Sequence, residues 1–281
     1  MVDYPLPVFI AVLGAAALHA TWNALVRGGS NPLLHTAALV MWTGVLAIPV
    51  AIAMPLPDPA SWPLLALSMA IHVVYYITLA RAYTHGALSV VYPIMRGVAP
   101  LLVSIGTWVF IGESLHTSGW AGVALVSAGV MAIAFRARLA HARVAIGWAL
   151  ACSITIATYT IVDGQGARLS QNPLSFAAWL FMLEGVVFTL LLALAGQGRS
   201  LASYILARPG ATALGGLLSA AGYATVLWAM TQAPMALVSA TRETSVLFAA
   251  LLGVWFLKER LTARQWMGAV VIVIGLIGLR L

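Results

Sequence analysis

Ten apolar runs, each about as long as the hydrocarbon core of a bilayer requires, follow one another with only short polar breaks. They fall at roughly 5–27, 33–54, 62–84, 88–111, 117–135, 144–163, 173–195, 210–231, 235–257 and 264–281. About 20 consecutive apolar residues cross that core as a helix, and in lipid every backbone N–H and C=O must be satisfied within the segment. The expected fold is therefore an all-α integral membrane protein with ten transmembrane helices. Composition agrees, since only 7% of the 281 residues are charged where a soluble domain carries about 25%. The first run has no basic region before it and is read as a span, not a cleaved leader.

The chain repeats itself. Arg96, Gly112-Glu113-Ser114-Leu115, Gly122 and Gly129 return 146 residues later as Arg242, Lys258-Glu259-Arg260-Leu261, Gly268 and Gly275. Further back, Asn31-Pro32-Leu33 returns as Asn172-Pro173-Leu174, His19-Ala20-Thr21-Trp22 as Ile156-Ala157-Thr158-Tyr159, and Tyr76 and Ala82 as Tyr223 and Ala229. An echo of this kind decides architecture. It predicts two five-helix repeats, residues 1–138 and 139–281. Five is odd, so the second copy crosses the membrane in the opposite sense to the first. Such inverted repeats place a solute site near the midplane where the copies meet.

Punctuation supports the helix boundaries. Asn31-Pro32 and Asn172-Pro173 each set a capping side chain before a proline at the first helical turn. Pro93 and Pro100 are expected to interrupt the fourth helix, whereas the ninth, with Pro234 ahead of it, reads as uninterrupted.

Basic residues set orientation. Ten of the fourteen, Arg27, Arg81, Arg136, Arg138, Arg143, Arg199, Arg208, Lys258, Arg260 and Arg264, lie at loops after odd-numbered helices, and only Arg168 and Arg280 lie at the other end. The positive-inside rule puts the odd-numbered loops in the cytoplasm and both termini outside the inner membrane. The basic pI is thus a matter of topology, and no nucleic-acid partner is expected. The lone Cys152 excludes an intrachain disulfide and reads as a small packing residue.

Two five-helix copies, each with a glycine-rich last helix after a Gly-Glu-Ser-Leu or Lys-Glu-Arg-Leu turn, resemble the EamA family of the drug/metabolite transporter superfamily. The resemblance covers essentially the whole chain. It implies a secondary transporter that exports amino acids, aromatic ones included, or other small metabolites. Some related proteins take up choline-like or sugar-nucleotide solutes. It also implies that Glu113 and Glu259 are structural members of the turn motif.

A charge within the membrane is expensive, about 2.5–3.5 kcal/mol even on insertion scales, so each such residue is a functional candidate. Arg96 lies in the fourth helix, Glu184 in the seventh, and Arg242 with Glu243 in the ninth. Two readings stand side by side: a structural network that satisfies the arginines, or carboxyls that carry a proton or meet the solute. Adjacent helical residues point about 100° apart, so Arg242 and Glu243 are not expected to face one cavity together. Aromatic and hydrogen-bonding residues supply the candidate lining: His19, Trp22 and Asn23 from the first helix, and His72, Tyr75 and Tyr76 from the third. Tyr92 adds to it from the fourth, Tyr159 from the sixth, Trp179 from the seventh and Tyr223 from the eighth. His72, Tyr76 and Tyr83 share one helical stripe. Tyrosine offers a ring face and a hydroxyl, which suits an amphipathic organic solute.

Together these features favour a secondary transporter for small amphipathic metabolites, amino acids first, with protons as the candidate coupling ion. A carrier of quaternary amines or multidrug cations is the alternative, using ring faces and a carboxylate. A membrane-embedded enzyme is remote. The sequence has no His-Glu-x-x-His helix, Gly-x-Ser-x-Gly turn or P-loop, and no cofactor or metal site is expected.

Overall fold

The computed structural model describes residues 4–27, 31–134, 143–258 and 261–281. Glu259 and the repeat boundary expected at residue 138 lie outside them, as do Arg136, Arg138 and Arg260. Within them the chain is helical, with no strand. The order is α1 (Leu6–Arg27), α2 (Pro32–Ala53), α3 (Trp62–His85), α4 (Leu88–Gly106), α5 (Thr117–Ala134) and α6 (Arg143–Leu169). There follow α7 (Pro173–Leu194), α8 (Gly198–Ala207), α9 (Pro209–Gln232), α10 (Met235–Arg242), α11 (Ser245–Leu257) and α12 (Ala263–Arg280). Among the described residues nine spans are long and apolar enough to cross a membrane; the expected fifth is a shorter apolar helix, Thr117–Ile133. Large apolar side chains such as Ile52, Phe110, Leu194 and Trp255 lie exposed on the outside of the bundle, as a lipid-facing surface requires.

The caps form as expected. Asn31 accepts from the Leu34 N–H and Asn172 from the Ser175 N–H, each ahead of a proline at the first turn. Both side chains satisfy a donor that the helix itself leaves open.

The echoed glycines make a seam. Helices α5 and α12 run antiparallel in close contact. A Cβ on Gly122 would stand 2.8 Å from the Gly275 carbonyl oxygen, and one on Gly275 would stand 2.9 Å from that of Gly122. The same reciprocity joins Gly129 and Gly268, at 2.7 and 2.9 Å. Small residues let helix backbones approach in lipid, where packing replaces the hydrophobic drive. Between α2 and α7, Gly44 and Gly185 meet in the same way, a Cβ on Gly44 falling 3.0 Å from the Gly185 Cα.

Four features differ from the sequence expectation. Helix α4 runs on through Pro93 and Pro100 to Gly106 and passes into a π-helical turn, Thr107–Ile111. The Ser104 hydroxyl donates to the Pro100 carbonyl, 2.8 Å away, one of the local repairs that let proline persist in a membrane helix. The ninth span does break, although it holds no proline. Helix α10 ends at Arg242 and α11 begins at Ser245, with Glu243 and Thr244 in three-residue turns between them. Thr241 and Thr244 donate their hydroxyls to the carbonyls of Leu237 and Thr241, back-bonding that competes with the helical ladder. Helix α6 extends six residues past Asp163, where the apolar run was expected to stop. Finally, α8 occupies the loop after α7, burying Leu201 and Tyr204 against Ala37 and Ala38.

Candidate functional site

Glu243 sits at the break in the ninth span, between α10 and α11. Its side chain is fully buried. Glu243 Oε2 lies 2.7 Å from Arg96 Nε, and Oε1 lies 3.6 Å from Arg242 Nη2. Here the helix tightens into three-residue turns, and Arg242 and Glu243, neighbours expected to diverge, meet around one carboxylate. Three formal charges converge here with a net charge of +1. Beyond these ion pairs, Arg96 Nε and Nη2, Arg242 Nε and Nη2, and both Glu243 oxygens are buried without an aligned hydrogen-bond partner. The Ser239 and Ser245 hydroxyls flanking the break share that condition. Buried polar atoms are almost always satisfied, so this cluster retains the capacity to bind a further polar group. Pro100 adds to it, since a proline cannot donate to the Arg96 carbonyl four residues back. His19 on α1 lies within electrostatic reach of both arginines.

An aromatic wall adjoins the charges. Tyr159 on α6 is buried and stacks on His72 of α3 at 4.5 Å between ring centroids. Tyr75 meets the same ring edge-on at 5.5 Å, and Tyr223 of α9 at 6.5 Å. Tyr92 packs beside them from α4. His72 Nδ1 faces the Ser68 carbonyl at 3.0 Å; a carbonyl only accepts, so the hydrogen sits on that nitrogen.

Two carboxylates stand behind the wall. Tyr76 donates its hydroxyl to Glu184 Oε1 at 2.6 Å. Tyr223 donates to Asp163 Oδ2, also at 2.6 Å, while Asp163 Oδ1 is buried without a partner. Asp163 was not among the residues singled out from sequence, because ending the sixth span at its position made it look like a loop residue. The residues after it, Gly164-Gln165-Gly166-Ala167-Arg168, gave no apolar signal that would have extended the span.

The other expected residues are placed as follows. Trp22 packs edge-on against His19 at 4.9 Å, and the Asn23 amide donates to the His19 carbonyl within α1. Trp179 lies elsewhere, edge-on to Trp62 at 5.2 Å near the start of α3. Tyr83 is 43% exposed and leaves the stripe that His72 and Tyr76 were expected to share with it, since His72 turns to α6 and Tyr76 to α7. Cys152 is fully buried among Ala145, Ala149 and Ile156, a packing environment.

One end of the bundle is tied shut. Arg168 Nη1 lies 2.5 Å from Glu113 Oε1, and its Nε and Nη2 donate to the carbonyls of Met230 and Ala233 at the end of α9. Glu113 Oε2 in turn accepts the N–H of Met235, the first residue of α10. The turn carboxylate is therefore structural, as the resemblance implied. At the same end the Tyr4 hydroxyl donates to Thr241 Oγ1 and the Tyr4 carbonyl accepts from Arg280. Burial pushes the Tyr4 phenol up, so it acts as a neutral donor. A surface pocket of about 120 Å³ opens here beside Tyr4, His116 and Leu237. A larger apolar groove of about 290 Å³ lies between α2 and α7, lined by Met41, Ile48 and Met182. Neither contains the charged cluster.

Comparison with known proteins adds a family. Residues 143–281 match the EamA-like transporter family. The chain is 24% identical over 268 residues to an uncharacterized transporter, YwfM, of Bacillus subtilis (strain 168), covering 92% of this chain and 87% of that protein. A solved crystal structure superposes with a TM-score of 0.70 at 15% identity, over 96% of this chain and 94% of the other; that likeness shows the fold alone.

Proposed function

With residues 143–281 belonging to the EamA-like transporter family, we propose that the protein is a secondary transporter of the inner membrane that exports small amphipathic metabolites, amino acids first. The observation that carries this reading is the buried Arg96–Glu243–Arg242 cluster. It has one positive charge in excess and guanidinium nitrogens without aligned partners. A solute carboxylate would complete both the charge and the hydrogen bonds, and charge-assisted contacts of this kind are the strong ones. Tyr75, Tyr92 and Tyr159 offer ring faces to the apolar part of such a solute.

The mechanism follows from where the cluster sits. Arg96 belongs to residues 1–138 and Glu243 to residues 139–281, the two halves proposed to rock against each other. A solute that bridges Arg96 and Arg242 competes with Glu243 for both, and so loosens the contact that holds the halves together. A discontinuous helix at such a point is a recurring device of transporters with inverted repeats. The Tyr4 and Arg168 contacts favour a form closed at the end that carries the termini.

Counterflow in liposomes tests the reading. Preloaded amino acid should drive uptake of its labelled form by the purified protein, with aromatic amino acids ahead of quaternary amines. Uptake of choline-like amines with no amino-acid counterflow would support the second reading, which the Tyr76–Glu184 pair favours.

A further inference from the structure

Asp163 and Glu184 are two membrane-embedded carboxylates that the cationic cluster does not use. Each is held by one tyrosine hydroxyl at 2.6 Å, from Tyr223 and Tyr76 respectively. The titratable groups that act on Asp163 are Glu184 and His72, with the Ser68 and Tyr223 hydroxyls beside it. Asp163 is completely buried, and its Oδ1 has no hydrogen-bond partner in the protein. A carboxylate left in that condition is among the most unfavourable groups a membrane protein can hold.

Its position supplies the reason. Tyr159 is within electrostatic reach of Arg96, Arg242 and Asp163, and its ring meets that of Tyr223, the tyrosine that holds Asp163, at 6.5 Å. The interior thus holds two charged groups of opposite sign, an arginine cluster with an excess of positive charge and a pair of carboxylates, with tyrosine rings next to both. We propose that Asp163 and Glu184 form an acidic subsite that takes the protonated amine of the solute, so that the carrier selects zwitterions over plain carboxylates. This rests on the amino-acid reading above and extends it to a second pole. Asp163 Oδ1 accepts an ammonium hydrogen; the tyrosine hydroxyls hold the other oxygens in place and leave the ammonium its share of the charge. A solute with both groups joins the poles across the aromatic wall, whereas one with a carboxylate alone leaves the acidic pair unmatched.

Three probes that differ by one group test the subsite: L-phenylalanine, 3-phenylpropionate without the amine, and phenethylamine without the carboxylate. Binding to the purified full-length protein is measured in detergent, together with unfolding temperature. Asp163→Asn should weaken phenylalanine and phenethylamine about 10- to 100-fold, the worth of one charge-assisted hydrogen bond. It should leave 3-phenylpropionate within about twofold. Glu184→Gln, at a half-buried position, should act in the same direction and decides the matter if Asp163→Asn does not fold. Equal loss on all three probes would make the residues merely structural and overturn the proposal. Unchanged amine affinity with loss of pH-driven transport would assign the pair to a proton and overturn it too, as would the absence of any amine-dependent binding to the unaltered protein. Wild-type protein that binds phenethylamine but not phenylalanine sinks the amino-acid reading and leaves the acidic subsite standing.

Discussion

Glu243 Oε2 stands 2.7 Å from Arg96 Nε, joining the fourth and ninth spans at the one place where the ninth span loses its helix. The pair is buried, and Arg242 approaches the same carboxylate from 3.6 Å. Breaking a buried pair from one side leaves an uncompensated charge, which is far more damaging than removing both partners.

Glu243→Gln should therefore destabilise the protein by about 3–5 kcal/mol. Its unfolding temperature in detergent should fall, and the double variant Arg96→Gln with Glu243→Gln should recover part of the loss. A stable Glu243→Gln protein with full gradient-driven transport would show that Glu243 neither braces the cluster nor carries a proton.

The glycine seam yields a sharper packing test. A Cβ on Gly129 would fall 2.7 Å from the Gly268 carbonyl oxygen and 2.6 Å from Ile272 Cγ1, whereas one on Gly147 meets nothing within 4 Å. Backbone cannot give way as a side chain can, so Gly129→Ala should be destabilising by about 1–3 kcal/mol. Gly147→Ala should be neutral or slightly stabilising, since alanine is the better helix former. Equal unfolding temperatures for the two variants would mean that α5 and α12 do not pack as described.

These residues also show what the sequence could reveal. The glycines of the seam were visible as an echo between the two copies, whereas their pairing across α5 and α12 appears only in the packing. The caps were visible because Asn-Pro pairs act locally. Arg96, Glu184, Arg242 and Glu243 stood out because charge is costly in lipid. The break at Glu243 stayed hidden, since it comes from threonine hydroxyls competing for carbonyls and not from a proline. Asp163 stayed hidden because one acidic residue is enough to end an apolar window. Trp179 and Tyr83 looked like Tyr159 in the sequence; only tertiary packing separates a ring on the inner wall from one against a loop or the outside.

Orientation remains readable from charge. Among the described residues Arg81, Arg143, Arg199, Arg208, Lys258 and Arg264 sit at or near helix ends that belong to the loops after odd-numbered spans, and Arg168 and Arg280 at ends that follow even-numbered ones. A reporter fused after Leu281 should read as extracytoplasmic under the positive-inside rule. Cytoplasmic activity of that fusion would show that helix packing had overridden the charge bias.

The tie between Arg168 and Glu113 makes the last prediction. One guanidinium holds Glu113 and the final carbonyls of α9, and the same carboxylate receives the first N–H of α10. Together they clamp the Ala233-Pro234 corner against the turn before α5 and the end of α6. If that end must open for solute to leave, Arg168→Gln should favour the open form, because a neutral amide cannot replace three contacts or the charge. A cysteine at buried Ser239, a little over one turn beyond the corner in α10, reports the change. In a Cys152→Ala background, Ser239→Cys should react slowly with a membrane-impermeant maleimide, and at least several-fold faster once Arg168→Gln is added. Solute bound to the arginine cluster should slow the reaction again by covering the thiol. If the labelling rate is the same with and without Arg168, the clamp only anchors the corner and the gate lies elsewhere.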